Sequence, residues 1–320
     1  MSTPRVIYLA GLGRSGSTLA ERLLGQLPGA CAVGEVVHMW RRGVGKDERC
    51  GCGERFSRCP FWCKVGQAAF GGWENADTGR LERLRNRVDR TRFVPLLAAP
   101  GLMRPALRRA LDEYVGYYQR VYAAIGEVSG CQAVIDSSKH ASLAFCLSRS
   151  RRIDLRVVHV VRDSRAVAYS WTKRVSRPDA PPGSLMRTYS PLAAAAQWDI
   201  QNGALGLLPR TGAATLRIRY EDLTAATEAS LRRIAAFAGL PAGGRDLGFL
   251  GSDAAHTWAD VGVAHTASGN PMRFFTGRVE IRSDDAWREA LPRRDRAAVF
   301  ALTLPWLARY GYLREGHGQA

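Results

Sequence analysis

Apolar, β-branched runs recur along the chain, and each ends in polar residues before a segment of helical spacing begins. The first run, Val6-Ile7-Tyr8-Leu9-Ala10, passes through glycine-rich residues 11–18 into leucine-spaced residues 19–24, which predicts strand, loop and helix. Pro28-Gly29 breaks that pattern, and residues 30–33 predict a short second strand ending at Gly34-Glu35. Further strands are predicted over 133–136, 155–161 and 214–218. Helical periodicity is expected after each of these, through 143–147, over 165–173, around 192–202 and over 231–240, with a last helix at 293–309. Strands alternating with helices predict an α/β protein, three layers deep, with a central parallel sheet flanked by helices.

Residues 41–125 interrupt this alternation and read as a helical, cysteine-containing insertion within one domain spanning 1–320. Its stretches around 81–88 and 107–125 have helical spacing. The run Tyr114, Val115, Tyr117, Tyr118, Val121, Tyr122, Ile125 suits core packing more than a ligand wall. Part of the insertion is still expected to line an acceptor pocket, because variation collects in segments added to a rigid scaffold. Residues 176–190, rich in Pro, Gly and Ser, predict a mobile loop, and 265–274 a second loop. Trp198 lies on the 192–202 helix, and Trp287 and Trp306 are expected in the core. No internal repeat is visible.

The formal net charge is +17 over 320 residues, and nearly all of the basic residues are arginine, with lysine only at 46, 64, 139 and 173. They are scattered, so the charge suits attraction of an anionic ligand better than a nucleic-acid groove. The chain contains no apolar run of membrane-spanning length and no signal peptide, which predicts a soluble, cytoplasmic protein. Of the seven cysteines, Cys31, Cys131 and Cys146 lie in apolar contexts and read as buried small hydrophobes. Cys50, Cys52, Cys59 and Cys63 crowd together, and could make a structural zinc knot, one or two disulfides, or packing contacts alone. The cytoplasmic reading weighs against stable disulfides.

The loop after the first strand nearly spells G-x-x-x-x-G-K-[ST], as Gly11, Gly16 and Thr18 fit, but Ser17 stands where a nucleoside triphosphatase places its lysine. That argues against transfer of a γ-phosphoryl group and for a smaller anion, with Arg14 supplying the cation. Strand ends in a parallel sheet face the ligand crevice, so Glu35 is a candidate general base, and His38 three residues on is its competitor. Lys139 lies just past a strand and before a helix, a position that favours a role in the site. Arg162 at a strand terminus and Ser170 two turns into the next helix could hold a second anion; the alternative is that Arg162 pairs with Asp163 or another carboxylate. His159, inside its strand, reads as a satisfied core residue.

Taken together, these residues resemble the superfamily of sulfotransferases that use 3′-phosphoadenosine 5′-phosphosulfate (PAPS). Gly13-Arg14-Ser15-Gly16-Ser17-Thr18-Leu19 resembles its 5′-phosphosulfate loop, and Val160-Val161-Arg162-Asp163 through Ser170 its 3′-phosphate motif. Bacterial members are the nearest in pattern, sharing Asp136-Ser137-Ser138-Lys139, Tyr220-Glu221-Asp222-Leu223, Gly269-Asn270-Pro271-Met272-Arg273 and a similar cysteine cluster. Glu35 falls where the tyrosylprotein branch carries a catalytic glutamate. The resemblance covers 5–40 and 130–313 in patches, and the usual C-terminal glycine-rich arginine-lysine motif is absent. It implies a P-loop-type fold and transfer of a sulfuryl group from PAPS, with adenosine 3′,5′-bisphosphate as product, to a hydroxyl, or secondarily an amine. The acceptor would be a small molecule, carbohydrate or glycolipid, and no catalytic metal is expected. Glu35 would be the base, with Arg14 and Lys139 stabilising the leaving phosphate. Gly13, Arg14, Ser15, Gly16, Ser17 and Thr18 would hold the phosphosulfate, Arg162 and Ser170 the 3′-phosphate, Tyr220 the adenosine, and Arg273 a further phosphate contact. A magnesium-dependent small-molecule kinase and a non-catalytic basic binding module are the alternatives.

Overall fold

The computed structural model describes residues 3–180, 183–253 and 256–313. The apolar runs become strands β1 (Arg5–Ala10), β2 (Ala30–Gly34), β3 (Ala133–Lys139), β4 (Asp154–Val161) and β5 (Ala214–Arg219). They form one parallel sheet in the order β2-β3-β1-β4-β5. Alternation along β1 sends Val6, Tyr8 and Ala10 into the core on one face and Ile7 and Leu9 into the core on the other. Both faces are therefore covered, as a parallel sheet requires.

On the first face lie the helices Pro60–Phe70, Thr78–Val88, Pro105–Ser129 and Ala141–Leu147. Tyr114, Tyr118 and Tyr122 are fully buried there, in keeping with their reading as core, and polar partners satisfy their hydroxyls. Tyr114 donates to Asp89 (2.7 Å) and Tyr122 to Asp136 (2.6 Å). On the second face, Ser17–Leu24 and Thr227–Ala238 pack against Val158, Val160 and Ile218. A further group of helices, Ser164–Thr172, Pro191–Leu207 and Arg293–Arg309, closes around Trp198, Val167 and Leu307. Trp287 is buried, but Trp306 is only half-buried.

Several elements differ from the sequence reading. β3 continues past Asp136 to Lys139. Residues 220–225 form a short helix, and the helix expected at 231–240 starts earlier, at Thr227. A second, antiparallel sheet of β6 (Leu250–Ser252), β7 (Thr257–Val261) and β8 (Gly277–Ile281) was not legible, because its strands are short and carry glycine and charged positions. Arg22 ties it to the helix Ser17–Leu24 by donating to the carbonyls of Gly262 and Phe275, both at 2.7 Å. Either side of Pro181 and Pro182, which lie outside the described residues, the chain is paired: Arg177 N donates to Ser184 O and Met186 N to Val175 O.

The strand ends are held from beneath by two buried carboxyls. Glu21 accepts from Gly34 N (2.7 Å) and Ser137 Oγ (2.6 Å), so a single side chain on the first helix fixes the ends of β2 and β3. Asp136 accepts from Tyr122 and from the Ser138 amide (2.7 Å) and hydroxyl (2.5 Å). Burial raises Glu21 to about 7 and Asp136 to about 6.

Because Glu21 titrates higher in the fold than an ordinary carboxyl at 4.5, its stabilisation is complete below that pH and is lost as pH rises to about 7. Glu21→Gln keeps an acceptor for Gly34 and can donate to Ser137. Its stability relative to wild type should therefore improve by roughly 3 kcal/mol between pH 4.5 and 7.5. Thermal unfolding at pH 5 and pH 8 measures this, and a difference that does not change with pH would mean that Glu21 folds as the anion.

Candidate active site

All five parallel strands deliver a residue to one rim: Gly11 follows β1, Glu35 follows β2, Lys139 ends β3, Arg162 follows β4 and Tyr220 follows β5. These residues line a cleft of about 1380 Å³, which leaves room for a nucleotide and a second molecule.

The loop that follows β1 owes its shape to two close approaches. Gly11 has φ 152°, and a Cβ there would lie 2.5 Å from the Val160 carbonyl oxygen. Gly16 has φ 87°, and a Cβ would lie 2.2 Å from the Tyr220 ring. Gly16 caps the Ser17–Leu24 helix without a side-chain bond, so that helix N-terminus points its amides at the cleft. Arg14 adopts φ 74° and sits 5.4 Å from the Trp171 ring. Its Nε and the buried Ser15 hydroxyl have no hydrogen-bond partner among the described residues. Gly13, Arg14, Gly16, Ser17 and Thr18 line the cleft, whereas Ser15 lies behind the loop.

Lys139 also has positive φ, 71°, which turns its side chain towards the rim. Its backbone oxygen accepts from Gly11 N (3.1 Å), and its ammonium donates to Glu35 Oε1 (2.5 Å) and Ser137 O (2.8 Å). Burial alone would raise Glu35, but Lys139, His38 and Arg42 outweigh it and hold the carboxyl at about 2. His38 Nε2 lies 3.4 Å from Glu35 Oε2. Burial lowers His38 to about 3 against the pull of Glu35, so the imidazole is neutral at pH 7. Asp136 and Ser138 accept from Val36 N and Val37 N and so hold the turn that carries Glu35.

Across the loop, Arg162 is 6% exposed, donates to Arg14 O (3.2 Å) and lies 4.5 Å from the Tyr220 ring. Asp163 pairs instead with Arg165, and the carboxylate facing Arg162 is Asp284, 3.3 Å away. Asp284 also faces Lys173 at 3.4 Å, and Ser170 lines the same end of the cleft. Trp198 Nε1 donates to Arg162 O (3.0 Å) and fixes the strand end. Tyr220 donates to Arg282 O (3.1 Å).

Not every expected residue reaches the cleft. The Arg273 side chain is 1% exposed and is consumed by the Thr266 and Arg49 carbonyls, both at 2.7 Å, and by Asp179 at 3.1 Å. A guanidinium so enclosed supports the loop and is not available to a phosphate in the cleft. Of the insertion, Arg41 and Arg42 line the cleft, and its buried apolar side chains, such as Phe56, Trp62, Leu84 and Ile125, join the core. Cys50, Cys52 and Cys59 gather, but Cys63 is exposed and turned towards Ser57 O; the place it was expected to fill is taken by His265. Cys146 is buried, while Cys31 and Cys131 are half-buried. His159 is a core residue bonded to Asn202 (2.8 Å). The sequence reading missed Trp171, Lys173, Tyr189 and Asp284, which line the cleft. Lys173 carried a signal, as one of only four lysines, one helical turn beyond Ser170.

No helix among the described residues is long and apolar enough to cross a membrane. No family model matches the chain, and no curated protein matches it. Among solved structures it is similar to the sulfotransferase domain from the Synechococcus PCC 7002 olefin synthase, at 20% identity over 95% of this chain and 96% of that one, with a TM-score of 0.49. It is also similar to the sulfotransferase domain from the curacin biosynthetic pathway, at 16% identity over 94% of this chain and 98% of that one, with a TM-score of 0.48.

Proposed function

We propose that the protein is a sulfotransferase that moves a sulfuryl group from PAPS to a hydroxyl of a small-molecule, carbohydrate or glycolipid acceptor. The observation that carries this reading is one cleft with two cationic stations, the Arg14 loop with its helix N-terminus and the Arg162–Lys173 pair, beside a buried Glu35–Lys139 ion pair. A donor with phosphosulfate at one end and a 3′-phosphate at the other needs two such stations, whereas ATP needs one polyphosphate cradle. The loop fits an anion on independent grounds. Arg14 Nε, beside the cleft, has no hydrogen-bond partner among the described residues, and no side chain caps the first amides of the Ser17–Leu24 helix. At the second station a carboxylate, Asp284, stands between Arg162 and Lys173 as an anion would.

Ser17, Thr18 and the loop amides would hold the phosphosulfate, with Arg162, Ser170 and Lys173 on the 3′-phosphate and Tyr220 near the adenosine. When bound, PAPS supplies a sulfuryl group already activated by its bond to phosphate. Glu35 is ionised at neutral pH and takes the proton of the acceptor hydroxyl. Lys139 and Arg14 neutralise charge on the departing phosphate oxygen. Lys139 has a second effect: while it donates to Glu35 it weakens that carboxylate as a base, and turning towards the donor phosphate would release it. Donor binding and base activation are coupled through one ammonium. His38, neutral and 3.4 Å from Glu35, orients the carboxylate.

Glu35→Gln should lower turnover by about 10²–10⁴ and leave the Kd for adenosine 3′,5′-bisphosphate nearly unchanged, read by sulfuryl-transfer kinetics beside calorimetry. Full turnover in that variant, with loss in His38→Asn, would move the role to His38. Titration of the bisphosphate without magnesium should show tight binding that is lost in Arg162→Ala, while adenosine 5′-phosphosulfate, which lacks the 3′-phosphate, should be hardly affected. Equal weakening of both ligands would remove Arg162 from the 3′-phosphate site, and binding of magnesium ATP alone would replace this reading with that of a kinase. Asp284→Asn should tighten the bisphosphate several-fold, because no carboxylate then has to be displaced; weaker binding would mean that Asp284 positions Arg162.

A further inference from the structure

The gathered cysteines lie apart from the residues of the cleft and have a geometry of their own. Cys59 Sγ is 3.7 Å from Cys50 Sγ, 3.7 Å from Cys52 Sγ and 3.3 Å from His265 Nδ1, and Cys50 Sγ is 3.9 Å from His265 Nδ1. All four donor atoms lie within 4.8 Å of one another. A disulfide would need its sulfurs about 2.05 Å apart, so these are thiols. Tetrahedral zinc, with bonds of about 2.3 Å to sulfur and about 2.0 Å to nitrogen, sets its sulfurs about 3.8 Å apart and sulfur from nitrogen about 3.5 Å apart. These four spacings are close to those between ligands at the corners of such a tetrahedron, and the remaining two stay within 4.8 Å.

We propose that Cys50, Cys52, Cys59 and His265 bind one structural zinc ion. Three sulfurs and one imidazole select zinc over the harder divalent cations, and four protein ligands leave no open position for water or substrate. The surroundings hold the four donor groups in place. Cys50 and Cys59 are fully buried, and Cys59 caps the N-terminus of the Pro60–Phe70 helix. The backbone amides of Cys52, Glu54 and Trp62 face the sulfurs of Cys50, Cys52 and Cys59. The His265 ring is held by stacking on Phe61 at 4.8 Å and 10°, and its carbonyl accepts from Trp62 Nε1 (3.0 Å). On binding, three thiol protons leave to solvent and zinc exchanges its waters for three thiolates and a neutral imidazole, with no oxidation or reduction.

The ion would join two segments more than 200 residues apart, and the residues after His265 show what that secures. Gly51 N donates to Thr266 O (3.0 Å), Ala267 N to Val33 O (2.8 Å) and Glu35 N to Ser268 O (3.0 Å). The zinc therefore anchors the segment that holds the Glu35 backbone at the end of β2, a positioning role that does not depend on which reaction the cleft performs.

Elemental analysis of the full-length protein, purified without added metal or a metal-affinity tag, should find one zinc per chain. Cys59→Ser should lose it, and Cys63→Ser should keep it. Because Cys59→Ser could fail to fold, the wild-type protein provides a second reading: stripped of metal and given cobalt(II), it should develop thiolate-to-cobalt charge transfer and the visible bands of a tetrahedral site. Stripping should also lower its Tm, with recovery on adding zinc. Wild-type protein that carries well below one zinc per chain and takes up no cobalt would overturn the proposal. So would a Cys50–Cys59 disulfide in the freshly purified protein, found by peptide mass spectrometry. Neither outcome bears on sulfuryl transfer, which is measured separately.

Discussion

Glu35 can stand at the end of β2 only because two other carboxyls lie beneath it. The ends of β2 and β3 leave backbone amides and hydroxyls where no neighbouring strand can bond them, and water is excluded. Glu21 and Asp136 supply the acceptors. The loop after β1 is then tied to this rim through Gly11 N on Lys139 O. The geometry of the cleft thus rests on burying two carboxyls, which their own raised titration shows to be costly in the charged form.

Charge is distributed by the geometry of each cation. Arg14 and Arg162 spread their donors over carbonyls, aromatic faces and the open cleft. Lysine, a compact charge on a flexible stem, stands at two points where one ammonium faces both a carboxylate and the open cleft: Lys139 at Glu35 and Lys173 at Asp284. In each case a carboxylate of the protein holds the ammonium ready, and an incoming anion would have to compete with it.

Strand patterning and glycine spacing made the parallel sheet and its first loop legible in the chain, since β1 through β5 fall where the apolar runs lie. Glu35, Lys139 and Arg162 were legible for the related reason that a parallel sheet directs strand ends to one crevice. Glu21 was not, because a carboxylate amid Leu19, Ala20, Leu23 and Leu24 carries no local sign of the two strand ends it bonds. Arg273 misled: an arginine beside an aromatic in a loop suits a phosphate contact, and nothing near it in the chain announces Asp179.

Local pattern settled the parallel sheet, the alternation of strand and helix and the residue types on the rim, because periods of two and 3.6 and the torsional freedom of glycine act over a few neighbours. Tertiary structure alone decided the partners. Arg162 meets Asp284 rather than Asp163, His265 joins cysteines some 206 positions earlier, and Arg273 turns inward. Such pairings depend on where distant segments return in space, and a side chain's options are settled by the nearest partner of opposite charge or complementary lone pair, whatever its distance along the chain.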